Sequence, residues 1–216
     1  MRLMKTVEGQ PVTKVAEHLR PDELHIWRMV YGHHQGREPL RELLAAYLRC
    51  DADEVQLIES EHGRPELAAA HASSLSFNWS HSGDQAVLAI GIDVQPGIDI
   101  ERLRPRPRAL EIAQRYFDVE ETRALEAAGE EARNAAFLEL WTAKEAVLKA
   151  LGRGIAFGLH RLRIAIQSDR LHLRWLDDDD AQAWQLCRLT LDAAHIGAIA
   201  WRGGPRTLRY GTLAER

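Results

Sequence analysis

One helix-forming segment, residues 134–151, restricts the folds open to this chain more than any other feature. Its apolar residues cover most of the helix circumference: Phe137, Leu138, Leu140, Trp141, Ala146, Val147 and Leu148. A helix with this pattern packs inside a domain, and any charge on it needs a partner. Gly152 follows the last periodic residue and predicts the end of the helix. The chain is therefore expected to build a core around this helix.

Composition restricts the class of protein further. The chain has 216 residues, of which 45% are apolar, so it can bury the core of one large domain or two small ones. Its formal net charge of −4 offers no global field for nucleic acid. The sequence has neither a secretory leader nor an apolar run long enough to span a membrane. Cys50 and Cys187 are far apart in apolar contexts, which favours reduced thiols over a disulfide. We expect a cytoplasmic protein without membrane or nucleic-acid partners.

The hydrophobic periodicity predicts an α+β fold. Helical patterns cover residues 37–48, 109–116 and 118–127 in addition to the long helix, with Asp118 and Glu121 as a capping pair. Alternating or apolar runs predict strands at residues 23–30, 55–59, 75–79, 85–93, 98–103, 162–166, 171–175, 184–191 and 196–201.

The order of these elements predicts two similar stacked α/β lobes. Residues 85–91 resemble residues 195–201, each forming a strand near the end of its half. We divide the chain into a loose N-terminal arm (residues 1–20), an N-terminal lobe (21–97) and a C-terminal lobe (98–216). Each lobe is expected to pack a small antiparallel sheet on a long helix, with pseudo-twofold symmetry and an active site in the cleft between them.

Asp99 and Glu101 form the first candidate site. They lie at i and i+2 of a predicted strand, so their side chains leave the same face, while Ile98 and Ile100 take the opposite one. Two like charges on one face are stabilised by a cation, and oxygen ligands alone suit Mg²⁺ or Mn²⁺. An exposed edge strand with solvated carboxylates is the equally open alternative.

Glu145 and Lys149 form the second candidate site. At i and i+4 they share one face of the long helix, whereas Lys144 is rotated from Glu145 by about 100°. A surface ion pair is the common reading of such spacing. The apolar surroundings favour buried charges with a functional role instead.

A polar cluster at residues 78–83 is the third candidate site. Its hydroxyls, imidazole and glycine suit a phosphate-binding loop, although an ordinary hairpin turn has the same composition. Arg37 and Arg64 are predicted at a helix start and a turn, positions suited to phosphate contacts. Arginine alternates with proline between residues 102 and 108, which predicts an extended basic rim or a solvated loop.

Three of these motifs together resemble the signatures of a known family. Residues 77–82 (FNWSHS), 97–101 (GIDIE) and 141–150 (WTAKEAVLKA) are similar to the three motifs of 4′-phosphopantetheinyl transferases of the larger, pseudodimeric, Sfp-like type. The resemblance spans about residues 22–201 and includes the turn at residues 62–65. It implies an enzyme that transfers 4′-phosphopantetheine from coenzyme A to a serine of an apo acyl, peptidyl or aryl carrier protein. Mg²⁺ (or Mn²⁺) is the implied cofactor and 3′,5′-ADP the second product.

The resemblance also implies roles for the candidate residues. Asp99, Glu101 and Glu145 would bind the metal, and Glu145 would also take the serine proton. Lys149 would neutralise the diphosphate, with Lys144 beside the phosphopantetheine arm. The residues implied at the 3′-phosphate end of coenzyme A are Ser80, His81, Arg64 and Arg37.

One segment departs from the family pattern. Residues 30–36 stand where the family has a long basic helix, and they contain His33 and His34 but neither lysine nor arginine. A non-catalytic relative that binds coenzyme A or a carrier protein is therefore an alternative, and a metal-dependent phosphoesterase is a weaker one. Because one chain contains both lobes, a monomer is sufficient to form the site, and we expect a monomer.

Overall fold

The computed structural model describes residues 9–168 and 170–214. The described chain divides into two compact units, one ending at Pro96 and resuming at Pro205, the other covering Gly97–Gly204. None of the helices in the described ranges is both long and apolar enough to cross a membrane.

Both units contain helices and strands. The α-helices are α1 (Val12–Ala16), α2 (Glu38–Leu48), α3 (Ala109–Tyr116), α4 (Val119–Ala127) and α5 (Glu130–Leu151). The strands are β1 (Glu23–Val30), β2 (Leu57–Glu59), β3 (Pro65–Leu67), β4 (Leu75–Ser82), β5 (Gln85–Ile92), β6 (Gly97–Arg102), β7 (Leu162–Gln167), β8 (Arg170–Leu176), β9 (Trp184–Arg188), β10 (His195–Arg202) and β11 (Thr207–Thr212).

The first unit is built on a four-stranded sheet in the order β11-β1-β5-β4. The pairs β1–β5 and β5–β4 are antiparallel, as predicted. Strand β11 pairs with β1 in parallel, so the sheet is mixed. Leu40, Leu43 and Leu44 of α2 share the core of this unit with Trp27 of β1 and Leu88 of β5.

Two of the predicted boundaries are corrected in this unit. Residues 1–8 of the expected loose arm lie outside the described chain, but residues 9–20 include α1, whose Val12 is 1% exposed in the core. The helix is too short to give a periodic signal in the sequence. Residues 205–214, which we assigned to the C-terminal lobe, belong to the first unit because β11 pairs with β1.

The second unit packs α5 against a three-stranded antiparallel sheet in the order β6-β10-β9. A separate antiparallel hairpin, β7–β8, completes it. Helix α5 begins four residues earlier than predicted, at Glu130, and ends as predicted at Gly152, whose φ is 71°. The Asp118–Glu121 capping box of α4 is confirmed by reciprocal hydrogen bonds. The α+β class and the small, mainly antiparallel sheets are therefore observed, while the pseudo-twofold relation stays a prediction.

Candidate functional site

Close packing of β6 on α5 sets the geometry of the candidate site. Gly97 meets the helix backbone so closely that an added Cβ would lie 2.0 Å from the Ala146 carbonyl oxygen and 2.4 Å from the Ala150 nitrogen. Ala143 of the same helix is also fully buried. Small residues on both elements thus allow the strand to lie directly on the helix, which brings their polar side chains together.

Lys149 of α5 pairs with Asp99 of β6. Its Nζ donates hydrogen bonds to Asp99 Oδ1 at 2.7 Å and to the Ile98 carbonyl oxygen at 3.2 Å. Asp99 is 6% exposed, so its charge is largely shielded from water. A buried carboxylate needs such a partner, because removing the cation would leave an uncompensated charge.

Glu145 lies beside this pair. It is 8% exposed, and its Oε1 has no hydrogen-bond partner among the described residues. Burial raises the pKa of Glu145 to about 7, and the negative charges of Asp99 and Glu101 add to the rise while Lys149 opposes it. A carboxyl with this pKa can exchange a proton near neutral pH.

Glu101 is held by an arginine of the predicted basic rim, which the sequence did not assign to this carboxylate. Arg106 Nη2 donates a hydrogen bond to Glu101 Oε2 at 2.8 Å. The backbone nitrogen of Arg106 in turn donates to Asn134 Oδ1 at 2.8 Å, which anchors this segment to α5. The arginine–proline alternation predicted an extended rim, but only the folded chain shows that one arginine turns back to a carboxylate.

We refer to Asp99, Glu101 and Glu145 as the carboxylate cluster. Among the residues that the structure describes, no group of three or more histidine, cysteine, aspartate or glutamate side chains has the arrangement of a metal site. Lys149 and Arg106 instead supply positive charge to two of the three carboxylates. The cluster nevertheless fits a hard cation in its chemistry, because all its donors are oxygens and one buried oxygen lacks a partner.

Lys144 is held by partners within the second unit. Its side chain is fully buried, and its Nζ lies 2.7 Å from Glu121 Oε2. It also donates to the carbonyl oxygens of Leu159 (2.8 Å) and Leu162 (2.6 Å). The ammonium thus links α5 to α4 and to the start of β7. These contacts use all three N–H donors of the ammonium, and the catalytic role of Lys144 stays a prediction.

The segment containing Ser80 and His81 is a strand, and the expected phosphate loop is wrong. Both residues lie in β4, and the hairpin turn consists only of Gly83 and Asp84 between Ser82 and Gln85. Neighbouring residues of a strand point to opposite faces, so Ser80 and His81 cannot form one side-chain cradle. Ser80 is buried and His81 is exposed.

The two arginines predicted at phosphate contacts already have acceptors in the first unit. Arg64 Nη2 donates to the Phe77 carbonyl oxygen at 2.7 Å and to Gln95 Oε1 at 2.9 Å. Arg37 Nη2 pairs with Glu59 Oε1 at 2.5 Å. Arg64 therefore links the turn before β3 to β4, a role that its position in the sequence does not reveal.

Comparison with known proteins identifies the family. A family model described as the 4′-phosphopantetheinyl transferase superfamily matches residues 89–200, which include the carboxylate cluster. The chain is 36% identical over 170 residues to the 4′-phosphopantetheinyl transferase HetI of a Nostoc strain, covering 78% of this chain and 69% of HetI. It is 34% identical over 147 residues to the 4′-phosphopantetheinyl transferase psf-1 of Bacillus pumilus, covering 68% of this chain and 61% of the relative.

Among solved structures, the holo-[acyl-carrier-protein] synthase of Thermotoga maritima aligns with a TM-score of 0.41 and 18% identity. That alignment covers 51% of this chain and 64% of the synthase. The family model and the relatives at more than 30% identity decide the assignment. The chain belongs to the 4′-phosphopantetheinyl transferase superfamily, in its larger, Sfp-like type, and is an enzyme of this class.

Proposed function

We propose that this enzyme transfers the 4′-phosphopantetheine group of coenzyme A to a serine of an apo acyl, peptidyl or aryl carrier protein and releases 3′,5′-ADP. The observation that carries the proposal is the surroundings of Glu145. A buried carboxyl with a pKa near 7 and an oxygen without a partner lies beside the Asp99–Lys149 pair. Base, cation and carboxylates are the groups that transfer to a serine requires.

The first requirement is a place for the serine proton. The serine oxygen bonds to the phosphorus of the phosphopantetheine group while the bond from that phosphorus to the oxygen of 3′,5′-ADP breaks. Glu145 accepts the serine proton, directly or through water. Such general-base catalysis typically contributes about 10²–10⁴-fold in rate, most when the base has a pKa near the working pH. In the protein without a metal ion, the pKa of Glu145 is raised to about 7, which meets that condition.

The second requirement is neutralisation of the leaving group. Negative charge grows on 3′,5′-ADP as the bond breaks. Lys149 offers an ammonium at the carboxylate cluster, 2.7 Å from Asp99. Asp99, Glu101 and Glu145 would hold a Mg²⁺ ion. When bound, that ion supplies charge neutralisation and alignment of the phosphates.

Contacts to the 3′-phosphate end of coenzyme A are proposed in the first unit. His81 is the strongest of the four candidates because its side chain is exposed and its ring can donate a hydrogen bond. Ser80 is buried on the other face of β4, whereas Arg64 and Arg37 already hold acceptors of the protein. We therefore propose that Ser80, Arg64 and Arg37 support this end of the site by holding its structural elements in place.

The test is a transfer assay with intact protein. Incubation with coenzyme A, Mg²⁺ and apo carrier proteins should add the mass of one phosphopantetheinyl group to the carrier, with equimolar 3′,5′-ADP. A carrier whose acceptor serine is replaced by alanine should gain no mass. Absence of a mass gain across several carriers would refute the proposal, and binding of coenzyme A without transfer would favour the non-catalytic alternative. Release of 3′,5′-ADP without any carrier would indicate a phosphoesterase.

A further inference from the structure

The arginine–proline segment at residues 102–108 is fixed to α5 by one amide side chain. Asn134 Oδ1 accepts a hydrogen bond from the backbone nitrogen of Arg106 at 2.8 Å, and Asn134 Nδ2 donates to the Arg104 carbonyl oxygen at 3.1 Å. Pro105 lies between these two contacts, and its ring fixes the backbone φ there. The amide thus holds two backbone groups of the segment at once.

Further backbone contacts hold the segment on either side of this amide. Leu103 N donates to the carbonyl oxygen of Ala194, the residue before β10, at 2.7 Å. The Arg106 carbonyl oxygen accepts from Ala109 N at 2.9 Å, where α3 begins. The backbone of Arg106 is therefore bonded through both its nitrogen and its carbonyl oxygen. A side chain on such a fixed backbone loses less conformational entropy when it holds a partner.

The Arg106 side chain is directed at the carboxylate cluster. Its Nη2 donates to Glu101 Oε2 at 2.8 Å, and the two side chains are 29% and 21% exposed, respectively. Its Nε is shielded from water and has no hydrogen-bond partner within the described part of the chain. A buried donor without a partner is unfavourable, so the bond to Glu101 is the contact that explains where this guanidinium lies.

One face of α5 carries both the amide and the candidate base. Asn134 precedes Glu145 by 11 residues, which is about three helical turns, so the two side chains leave the helix in nearly the same direction. The helix therefore supports the carboxylate cluster in two ways. It supplies Glu145 directly, and it holds Glu101 through Asn134 and Arg106.

We propose that Arg106 and Asn134 are positioning residues that orient Glu101 as a ligand of the divalent cation. The inference rests on the proposed function for the metal ion itself. Arg106 holds one oxygen of Glu101 and thereby restricts the rotation of that carboxylate, while Asn134 holds the backbone of Arg106. Hydrogen-bond partners of metal ligands typically contribute about 10–100-fold in metal affinity.

The positive charge of Arg106 also repels a cation, and the geometry decides which effect is larger. Arg106 contacts Glu101 through one nitrogen and one oxygen, and both side chains keep contact with solvent. Water and salt therefore screen the repulsion between the guanidinium and the metal ion. The restraint on the carboxylate is not screened in this way. We expect the restraint to be the larger effect.

Titration of the full chain with Mn²⁺ alone tests the positioning role without coenzyme A or a carrier, and electron paramagnetic resonance measures the free ion. Arg106→Ala should raise the Kd for Mn²⁺ about tenfold or more. Arg106→Lys keeps the charge but not the planar fork and should fall between the two. Arg108→Ala removes an exposed arginine that pairs with Glu111, and this matched control should keep the Kd of the unmodified protein.

Two substitutions of Asn134 test the contact behind Arg106. Asn134→Ala should raise the Kd for Mn²⁺ in the same direction as Arg106→Ala, by a smaller factor. Asn134→Asp keeps the oxygen that accepts from the Arg106 nitrogen and should retain most of the affinity. Equal losses in both Asn134 variants would contradict a role for that hydrogen bond.

Recovery at high metal concentration separates positioning from damage to the fold. Transfer by Arg106→Ala should approach the kcat of the unmodified protein at excess Mg²⁺, because only the affinity for the metal is lowered. Unchanged or tighter Mn²⁺ binding by Arg106→Ala, or no binding by the unmodified protein, would overturn the inference. Mass gain on the carrier with equal Kd values would refute only the positioning role. Weaker binding by Arg106→Ala, without any mass gain by the unmodified protein, would refute only the proposed transfer.

Discussion

Lys149 Nζ and Asp99 Oδ1 lie 2.7 Å apart, and this ion pair joins helix α5 to strand β6 at the carboxylate cluster. The Asp99 side chain is 8% exposed and that of Lys149 25%. The carboxylate is therefore neutralised from one side by the protein itself, while the lysine keeps access to solvent. A cation that binds Asp99 would share this carboxylate with Lys149.

Asp99→Ala should alter the response to Mg²⁺. Removing one ligand is expected to raise the Mg²⁺ concentration for half-maximal transfer by at least about tenfold, since even residues that only support metal ligands have effects of this size. The measurement is initial rate against Mg²⁺ concentration, with Asp53→Ala, an exposed site in the other unit, as control. An unchanged titration curve would contradict a ligand role for Asp99.

Glu145→Gln should preserve the fold and remove most of the transfer. The amide has nearly the same shape but cannot accept the serine proton, so kcat should fall by about 10²–10⁴-fold. Single-turnover mass spectrometry of the carrier measures the loss, and thermal unfolding verifies the fold. The exposed Glu111→Gln serves as a matched control. Turnover close to that of the unmodified protein would exclude Glu145 as the base.

Lys144→Met should lower the free energy of unfolding. The methionine would leave Glu121 buried without its cation, which typically costs about 3–5 kcal/mol. Adding Glu121→Gln should recover part of this loss, because the amide oxygen can still accept from Ile164 N. Urea unfolding of the single and double variants measures both effects. A Lys144→Met variant that is as stable as the unmodified protein but lacks transfer activity would favour the catalytic role of Lys144 over a structural one.

Gly97→Ala should separate β6 from α5. The new Cβ would meet backbone atoms of Ala146 and Ala150, which cannot rotate away as a side chain can. We expect a loss of about 3 kcal/mol in the free energy of unfolding, at the upper end for overpacked sites, together with weaker transfer. Gly129→Ala introduces the same methyl group with no atom within 4 Å and is the control. Equal stability of the two variants would show that the close approach is dispensable.

Protonation of His25 should lower the free energy of unfolding as the pH falls. It is 3% exposed, its Nδ1 is hydrogen-bonded to Tyr47 Oη at 2.8 Å, and burial lowers the pKa of His25. The unfolded chain, with a histidine pKa of about 6.5, then binds more protons than the folded one as pH falls through that value. His25→Gln should therefore lose less stability between about pH 7.5 and about pH 5.5.

Urea midpoints at the two pH values measure this difference in stability. The exposed His62→Gln is the control, and it should keep the pH dependence of the unmodified protein. An identical pH dependence in His25→Gln would show that His25 does not contribute to the acid sensitivity.

Features that depend on neighbours in sequence were predictable. The end of α5 at Gly152 and the Asp118–Glu121 capping box follow from short-range geometry. The common face of Asp99 and Glu101 follows from the two-residue period of a strand. The three motifs were also sufficient to indicate the family, because their residues and order are specific.

The remaining features depend on partners that are distant in the chain. Strand β11 pairs with β1 across more than 180 residues, and no local pattern specifies that pairing. Lys144 and Lys149 look alike in the sequence, yet one is saturated by Glu121 and two carbonyl oxygens while the other reaches Asp99. Five positions, about 1.4 helical turns, separate the two lysines, so they point to different neighbours.

By itself, the sequence determined the family, the long buried helix and the residues of the carboxylate cluster. Only the tertiary structure decided which charges are structural, that Ser80 and His81 point to opposite faces of β4, and that Arg106 reaches Glu101. The physical reason is the range of the interactions. Periodicity and capping act over a few residues, whereas burial and ion pairing depend on which elements pack together.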